Sequence, residues 1–204
     1  MTEPRIPDAI ELTTRTGLAV RIRQARADDD AALRAGFAHL SNDSRYTRFF
    51  TAVPRLSGSL LRQLTDLDGR NRLAFAVFDP ARDSEIGRTD GFGIAVARFI
   101  RPDPAIPVAE LALAIIDEYH RNGLGQLLIA GLIVAADTHG IEQLQAFVLA
   151  TNEPMIRLLA SHGARELVVE EPGAGVRSYE LDVSSARDSA LIDPRVVTAF
   201  GSIA

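Results

Sequence analysis

The chain contains no cysteine in 204 residues. That excludes a disulfide framework, a thiolate nucleophile and a cysteine-based zinc site. It also lacks a basic excess: 22 Lys and Arg stand against 27 Asp and Glu, for a net charge of −5. A surface that binds nucleic acid normally rests on clustered positive charge, so no nucleic-acid partner is expected. Histidine is sparse. His39, His120, His139 and His162 are scattered without metal-ligand spacing, and no metal is expected. Long apolar runs are missing too. Stretches such as Leu127–Ala136 stop well short of the about 20 residues that span a bilayer, so no membrane association is expected. The opening Met1-Thr2-Glu3-Pro4-Arg5 has no basic region followed by an apolar core, which makes the cytoplasm the expected location.

What remains is ordinary soluble-protein material. The length suits one α/β domain with a sizeable core. Residues 1–10 carry two prolines and little pattern and read as a loose arm. Glu11–Thr14 and Leu18–Arg23 flank a Thr-Gly turn and read as a strand pair. Asp28-Asp29-Asp30 precede an alanine-rich segment and read as a solvated helix start, where carboxylates suit free N–H groups. Ser41–Phe50 reads as the end of one helix and the turn into another, and Leu60–Leu67 has helical spacing. Strands are expected at Leu73–Phe78, Gly91–Ile100 and Val108–Ile116, then at Leu144–Leu149, Glu166–Glu170 and Val176–Leu181. The last two flank a Pro-Gly-Ala-Gly turn and are expected to pair. Helices are expected at Leu124–His139 and Asn152–His162, each stopped by a glycine, Gly140 and Gly163. Ser184–Ala204 has a modest helical signal and reads as a peripheral addition. The order implies a mixed sheet with helices packed on it.

The most informative stretch runs from Glu110 to Gln126. An apolar strand enters a short polar loop, Tyr119-His120-Arg121-Asn122, and Gly123 and Gly125 open a long helix. A pyrophosphate needs this arrangement, because unpaired N–H groups of a first helical turn point at the anion and the helix dipole adds to the attraction. Glycines let backbone approach phosphate closely. A lone G-x-G is weak evidence. The stretch matches neither G-x-x-x-x-G-K-[ST] nor G-x-G-x-x-G with a later ribose-binding acid, so neither a P-loop nor a dinucleotide site is expected.

In its context, Tyr119–Gln126 resembles motif A of the GNAT acetyltransferases, R/Q-x-x-G-x-G/A. Asn152–Gly163 resembles the family's next motif, an asparagine opening a helix that ends at a glycine. The two stand in the family's order, and the resemblance covers roughly residues 18–182. Four further stretches, Leu40–Phe50, Leu67–Phe75, Ala109–Leu113 and Val148–Asn152, are similar to the GNAT domains of bacterial protein lysine acetyltransferases that act on acyl-CoA synthetases.

The resemblance implies a GNAT fold of class α/β (α+β): a mixed, mostly antiparallel sheet with splayed central parallel strands, flanked by helices. It divides the chain into an N-terminal arm (1–17), an acetyltransferase domain (18–182) and a C-terminal extension (183–204). It implies acetyl-CoA as co-substrate and an amine acceptor, either a small molecule or a protein lysine, with a dimer as one option for assembly. Leu113, Ala114 and Ile115 would offer backbone to the pantetheine arm. His120, Arg121, Asn122, Gly123, Leu124, Gly125 and Gln126 would hold the pyrophosphate, and Asn152 would bond the arm where the strands splay. Glu110 matches the family's general base. Two positions depart from the pattern: His120 replaces Arg or Gln, and Leu159 stands where many members place a tyrosine acid.

The same residues have plainer readings. A carboxylate in an apolar strand, as Glu110 is, serves either as a catalytic base or as the partner of an arginine. Asn152 suits a helix N-cap as well as a cofactor contact. His120 reads as a loop residue near phosphate rather than an acid–base group. Arg45 and Arg48 read as a surface pair or as a device to orient an acidic protein substrate. Besides catalysis, a catalytically idle acyl-CoA-binding regulatory module and a partner-binding domain are the competing functions.

Overall fold

The computed structural model describes residues 9–87, 89–167, 175–189 and 192–204. Eight strands form one sheet: β1 (Ile10–Thr13), β2 (Ala19–Gln24), β3 (Arg72–Asp79), β4 (Phe92–Ile100), β5 (Val108–Ile115), β6 (Gln143–Leu149), β7 (Arg165–Leu167) and β8 (Val176–Asp182). Their order across the sheet is β1-β2-β3-β4-β5-β6-β8-β7. Every neighbouring pair is antiparallel except β5 with β6. The mixed sheet with one parallel pair is the architecture the sequence implied.

Among the described residues seven α-helices cover the sheet: α1 (Asp30–Ala38), α2 (Asn42–Phe49), α3 (Gly58–Thr65), α4 (Leu124–Thr138), α5 (Glu153–Ser161), α6 (Val183–Arg187) and α7 (Pro194–Gly201). Residues opposite one another on neighbouring strands share a face. Ala74, Arg98 and Ala112 therefore line one face, with Ala76, Val96 and Ala114 beside them, and α1, α2 and α3 pack over it. The other face carries Phe75, which meets Phe200 of α7 edge-on at 4.9 Å. α4 is apolar all round and buried from Leu127 to Ala136, as a helix enclosed by sheet and helices must be.

Several expectations change. Ser41–Phe50 is α2 together with its two caps, and the Ser41 hydroxyl accepts the Ser44 N–H at 3.1 Å. The helix is followed by Phe50 in the left-handed region at φ 58°. The Asp28–Asp30 triplet is not uniformly solvated. Asp29 is buried and takes two 2.8 Å bonds from the Arg23 guanidinium, while Asp28 and Asp30 are exposed. The triplet thus anchors α1 to β2. The end of the expected loose arm, residues 1–10, overlaps a strand, since Ile10 already pairs with Ile22.

The C-terminal segment is not peripheral. Phe200 is fully buried, and a Cβ on Gly131 of α4 would lie 2.2 Å from its ring. Gly131 exists so that the two helices can approach this closely. β7 and β8 pair as expected; the intervening turn and the end of the Glu166–Glu170 strand lie outside the described residues.

Candidate active site

β5 and β6 pair only at Val108↔Gln143, Ala109↔Leu144 and Glu110↔Gln145. Beyond Glu110 the two strands diverge, and a cleft of about 1200 Å³ opens between them. Its floor is Leu111–Ile115 on one side and Ala146–Val148 on the other, with α2 and α5 as walls. Along Leu111–Ile115 the edge facing β6 has no ladder partner, so its backbone groups remain available to a ligand.

The loop after β5 closes one end of the cleft. Its shape is set by bonds within the chain: Tyr119 N–H to Ile116 O at 3.0 Å, His120 N–H to Asp117 O at 3.1 Å and the His120 ring Nε2 to Ile115 O at 2.9 Å. His120 is therefore tied to the strand end through Nε2. Arg121 adopts φ 62° and Gly123 φ 78°. A left-handed arginine is uncommon, and such strain gathers where backbone is arranged for a purpose. α4 has no side-chain cap, and its first amide–carbonyl bond from the cap residue runs from Leu127 N–H to Gly123 O at 3.2 Å. The N–H groups of the turn ahead of Leu127 are thus left without intrahelical acceptors, and the helix dipole is positive there.

Packing requires a glycine at position 125. A Cβ there would lie 2.9 Å from Leu158 Cδ2, so the space is occupied by α5. Gln126 Nε2 donates to Ser161 Oγ at 2.9 Å, tying the same two helices. The turn between β1 and β2 supports the loop from outside, with Thr16 Oγ1 donating to Asn122 O at 2.8 Å.

The cleft lining contains Glu110, Leu113, Ala114, Ile115, His120, Arg121, Gly123, Gly125, Gln126 and Asn152. Asn122 and Leu124 are not part of it, and the Leu124 side chain is buried in the core. Asn152 does cap α5, its Oδ1 accepting the Met155 N–H at 3.3 Å, while its side chain also faces the cleft. Glu110 is exposed rather than buried, which overturns the expectation of a carboxylate enclosed in an apolar strand. Alternation puts it on the cleft side, and among the described residues it has no ion pair or hydrogen bond through its side chain. No arginine bonds it directly, although Arg48 and Arg98 are near enough to feel its charge. Leu159 is buried in α5. None of Tyr46, Tyr119 and Tyr179 lines the cleft, so no tyrosine replaces the missing acid.

Sequence reasoning missed two features. One is Asp117, whose carboxylate accepts from Ser41 N–H at 2.9 Å, Ser41 Oγ at 2.7 Å and Ser44 Oγ at 2.9 Å. These bonds hold its carboxyl below the usual range despite partial burial, and they fasten α2 to the loop. The other is Arg98, a lone charge in an apolar strand and almost fully buried. That isolation was its signal.

Residues 19–165 match the family model described as "Acetyltransferase (GNAT) domain". The chain is 28% identical over 188 residues to Acetyltransferase Pat of Mycolicibacterium smegmatis, a match that covers 92% of this chain and 53% of that protein. It thus spans about half the length of that relative. It is 30% identical over 147 residues to Acetyltransferase PA5475 of Pseudomonas aeruginosa, covering 72% of this chain and 75% of that one. Among solved structures, the GNAT domain of S. lividans PAT is similar with a TM-score of 0.75 at 26% identity, over 89% of this chain and 99% of that one. With the splayed parallel pair and the amide-lined loop in place, the matches agree that the chain belongs to the GNAT acetyltransferase family.

Proposed function

We propose that the protein transfers an acetyl group from acetyl-CoA to an amine of a small molecule or a protein lysine, with Glu110 as general base. One observation carries the reading: a single cleft has unsatisfied helix-start amides at one end and an unpaired carboxylate at the other. The cleft is long and polar enough for a nucleotide-bearing thioester, and its residues fit that group. The backbone of His120–Gln126 would hold the pyrophosphate, with Arg121 at the loop's strained position. The open edge of Leu113–Ile115 and the side chain of Asn152 would hold the pantetheine arm.

Glu110 then takes a proton from the incoming ammonium, because only the neutral amine is nucleophilic. The amine nitrogen bonds to the thioester carbon, and the free N–H groups of the β5 edge stabilise the oxyanion. Collapse breaks the C–S bond, and the nitrogen gives up its second proton to solvent as the amide forms. The sulfur leaves as thiolate without a tyrosine acid, which is tolerable for a group whose pKa is about 8.5. The proton on Glu110 passes to solvent.

The test is titration with acetyl-CoA followed by free-CoA release over a panel of amines. Binding with release supports the proposal. Binding without release from any amine would make the chain an acyl-CoA-binding module. Absence of binding would remove the reading, as would ATP or NAD binding as tightly as acetyl-CoA.

A further inference from the structure

Two arginines stand near Glu110 without a carboxylate bonded to them: Arg48, half-buried in the cleft wall, and Arg98, buried in the cavity behind it. Arg48, in the last turn of α2, lines the cleft. It also lines a smaller apolar cavity of about 100 Å³ behind it, under α1 and α3. Its guanidinium carbon lies 5.0 Å from the centre of the Phe49 ring, and among the described residues it makes no hydrogen bond or ion pair. Arg98 lines that cavity from β4 and is 4% exposed. Its Nη atoms make only long bonds, 3.3–3.4 Å, to the carbonyls of Gln63 and Leu64. Its Nε is buried with no partner.

Arg45, one turn earlier, shows what an arginine with a structural task looks like here. It packs over Phe37 and donates to the carbonyls of Pro54 and Ala38. Arg48 has no such contacts.

The two charges feel one another. Burial first and the charge of Arg98 second lower the Arg48 pKa, Glu110 offsets part of the effect, and the net value is about 10. Burial likewise lowers that of Arg98, against which Glu110 and Asp66 act and with which Arg72 acts. Asp66 already pairs with Arg72 at 3.4 Å. Glu110 is close enough to be felt by both arginines but is not within ion-pair distance of either. Holding two desolvated like charges together without a bound anion is unfavourable, and a ligand anion would relieve it.

We propose that Arg48 and Arg98 form an anion-binding corner beside Glu110, so that the acceptor amine belongs to a molecule or peptide carrying a carboxylate close to that amine. The proposal rests on the acetyl-transfer reading for its placement at the acceptor end. Glu110 receives the ammonium and the corner receives the carboxylate, which fixes the amine's orientation toward the cleft. A guanidinium fork suits a carboxylate better than a point charge does. The carboxylate has two possible sources, a small amino acid or an acidic residue flanking a lysine, and the experiment separates them.

Two matched pairs serve as probes: 4-aminobutyrate with 4-aminobutyramide, and an end-blocked lysine pentapeptide flanked by Asp with the same peptide flanked by Asn. Binding to the CoA-loaded protein is measured by titration calorimetry, and turnover by CoA release. The acidic member of at least one pair should be favoured by about 10- to 100-fold, the range for a hydrogen bond to a charged group. The pair that responds identifies the source. Arg48→Gln should abolish the preference while acetyl-CoA affinity and melting temperature hold, and Arg48→Lys should restore part of it. Equal binding within both pairs, or a preference that survives Arg48→Gln, overturns the proposal. Arg48-dependent binding with no CoA release would keep the anion corner and sink the transfer reading. Release from neutral amines without Arg48 dependence would do the reverse.

Discussion

Replacing Glu110 with Gln removes a charge and preserves shape. The side chain is exposed and has no ion pair or hydrogen bond among the described residues, so the folded state loses no contact. A substitution of this kind changes stability by about 0.5 kcal/mol or less, which in a chain of this size moves Tm by about 1–2 °C. Turnover should respond very differently. General-base catalysis contributes about 10²–10⁴-fold, or about 3–5 kcal/mol of barrier, and glutamine accepts no proton. With no base, reaction waits for amine that is already neutral in solution, so the rate of the variant should climb with pH toward the amine's own pKa. The charge change also touches Arg48 and Arg98, because Glu110 offsets part of their mutual repulsion. An anionic acceptor should therefore bind the variant at least as tightly as the parent. CoA release read with a thiol reagent is well suited, since a chain without cysteine contributes no background. Melting temperature on the same preparation completes the measurement. Unaltered turnover in a stable variant would place the base elsewhere. A large fall in Tm with normal turnover per folded molecule would mean that Glu110 has a structural partner after all.

Phe200→Ala should cost about 3–5 kcal/mol, the range for emptying a buried aromatic site, and lower Tm by about 6–20 °C; a shift of 1 °C would return α7 to the periphery. Gly125→Ala should be destabilising in the parent, where the new Cβ meets Leu158 2.9 Å away. In a Leu158→Ala background the same change should be neutral or stabilising by up to about 1 kcal/mol, because alanine is the better helix residue; additive effects in the double-mutant cycle would refute the packing role. Burial lowers the pKa values of His162 and His139. The unfolded chain then binds protons first as pH drops, so stability should be full above about pH 6.5 and decline below it. Urea midpoints at several pH values would show this, and His162→Gln should flatten part of the slope. The stabilisation from the lowered carboxyl of Asp117 is fully present above its unfolded value and is lost only in more acidic solution, as pH falls through the folded value.

Much of this architecture could be read before any coordinates. The alternation in Val20–Arg23 and the apolar runs of β3, β4 and β5 marked strands, because period and composition are local properties. The loop from Tyr119 to Gly125 was legible because its chemistry is carried by backbone and glycine. What escaped was set by partners far away in the chain. Asp29 looked like a helix-start charge until Arg23 was found against it. Ser184–Ala204 looked peripheral because its weak pattern says nothing of Gly131, nearly seventy residues earlier, which leaves room for Phe200. Glu110 was expected to be buried because its neighbours are apolar, and the divergence of β6 that exposes it is not written in β5. Arg48 and Arg45 share one helix and one residue type, and only their surroundings separate them.

The early end of pairing between β5 and β6 gives this sheet an edge in its interior. Sheet edges are ordinarily hazards, since their free N–H and C=O groups recruit further strands and seed aggregation. Proteins usually blunt them at the rim with charge, proline or a bulge. Here the exposed stretch, Leu111–Ile115, lies at the bottom of a recess walled by α2 and α5. A lone extended thread with spaced amides can reach it and bond along it in the manner of strand addition. A strand that is already part of another sheet brings neighbours too wide for the recess. The geometry that makes the floor adhesive for a slender ligand therefore also shields it from other folded chains, and filling the groove should slow self-association on storage.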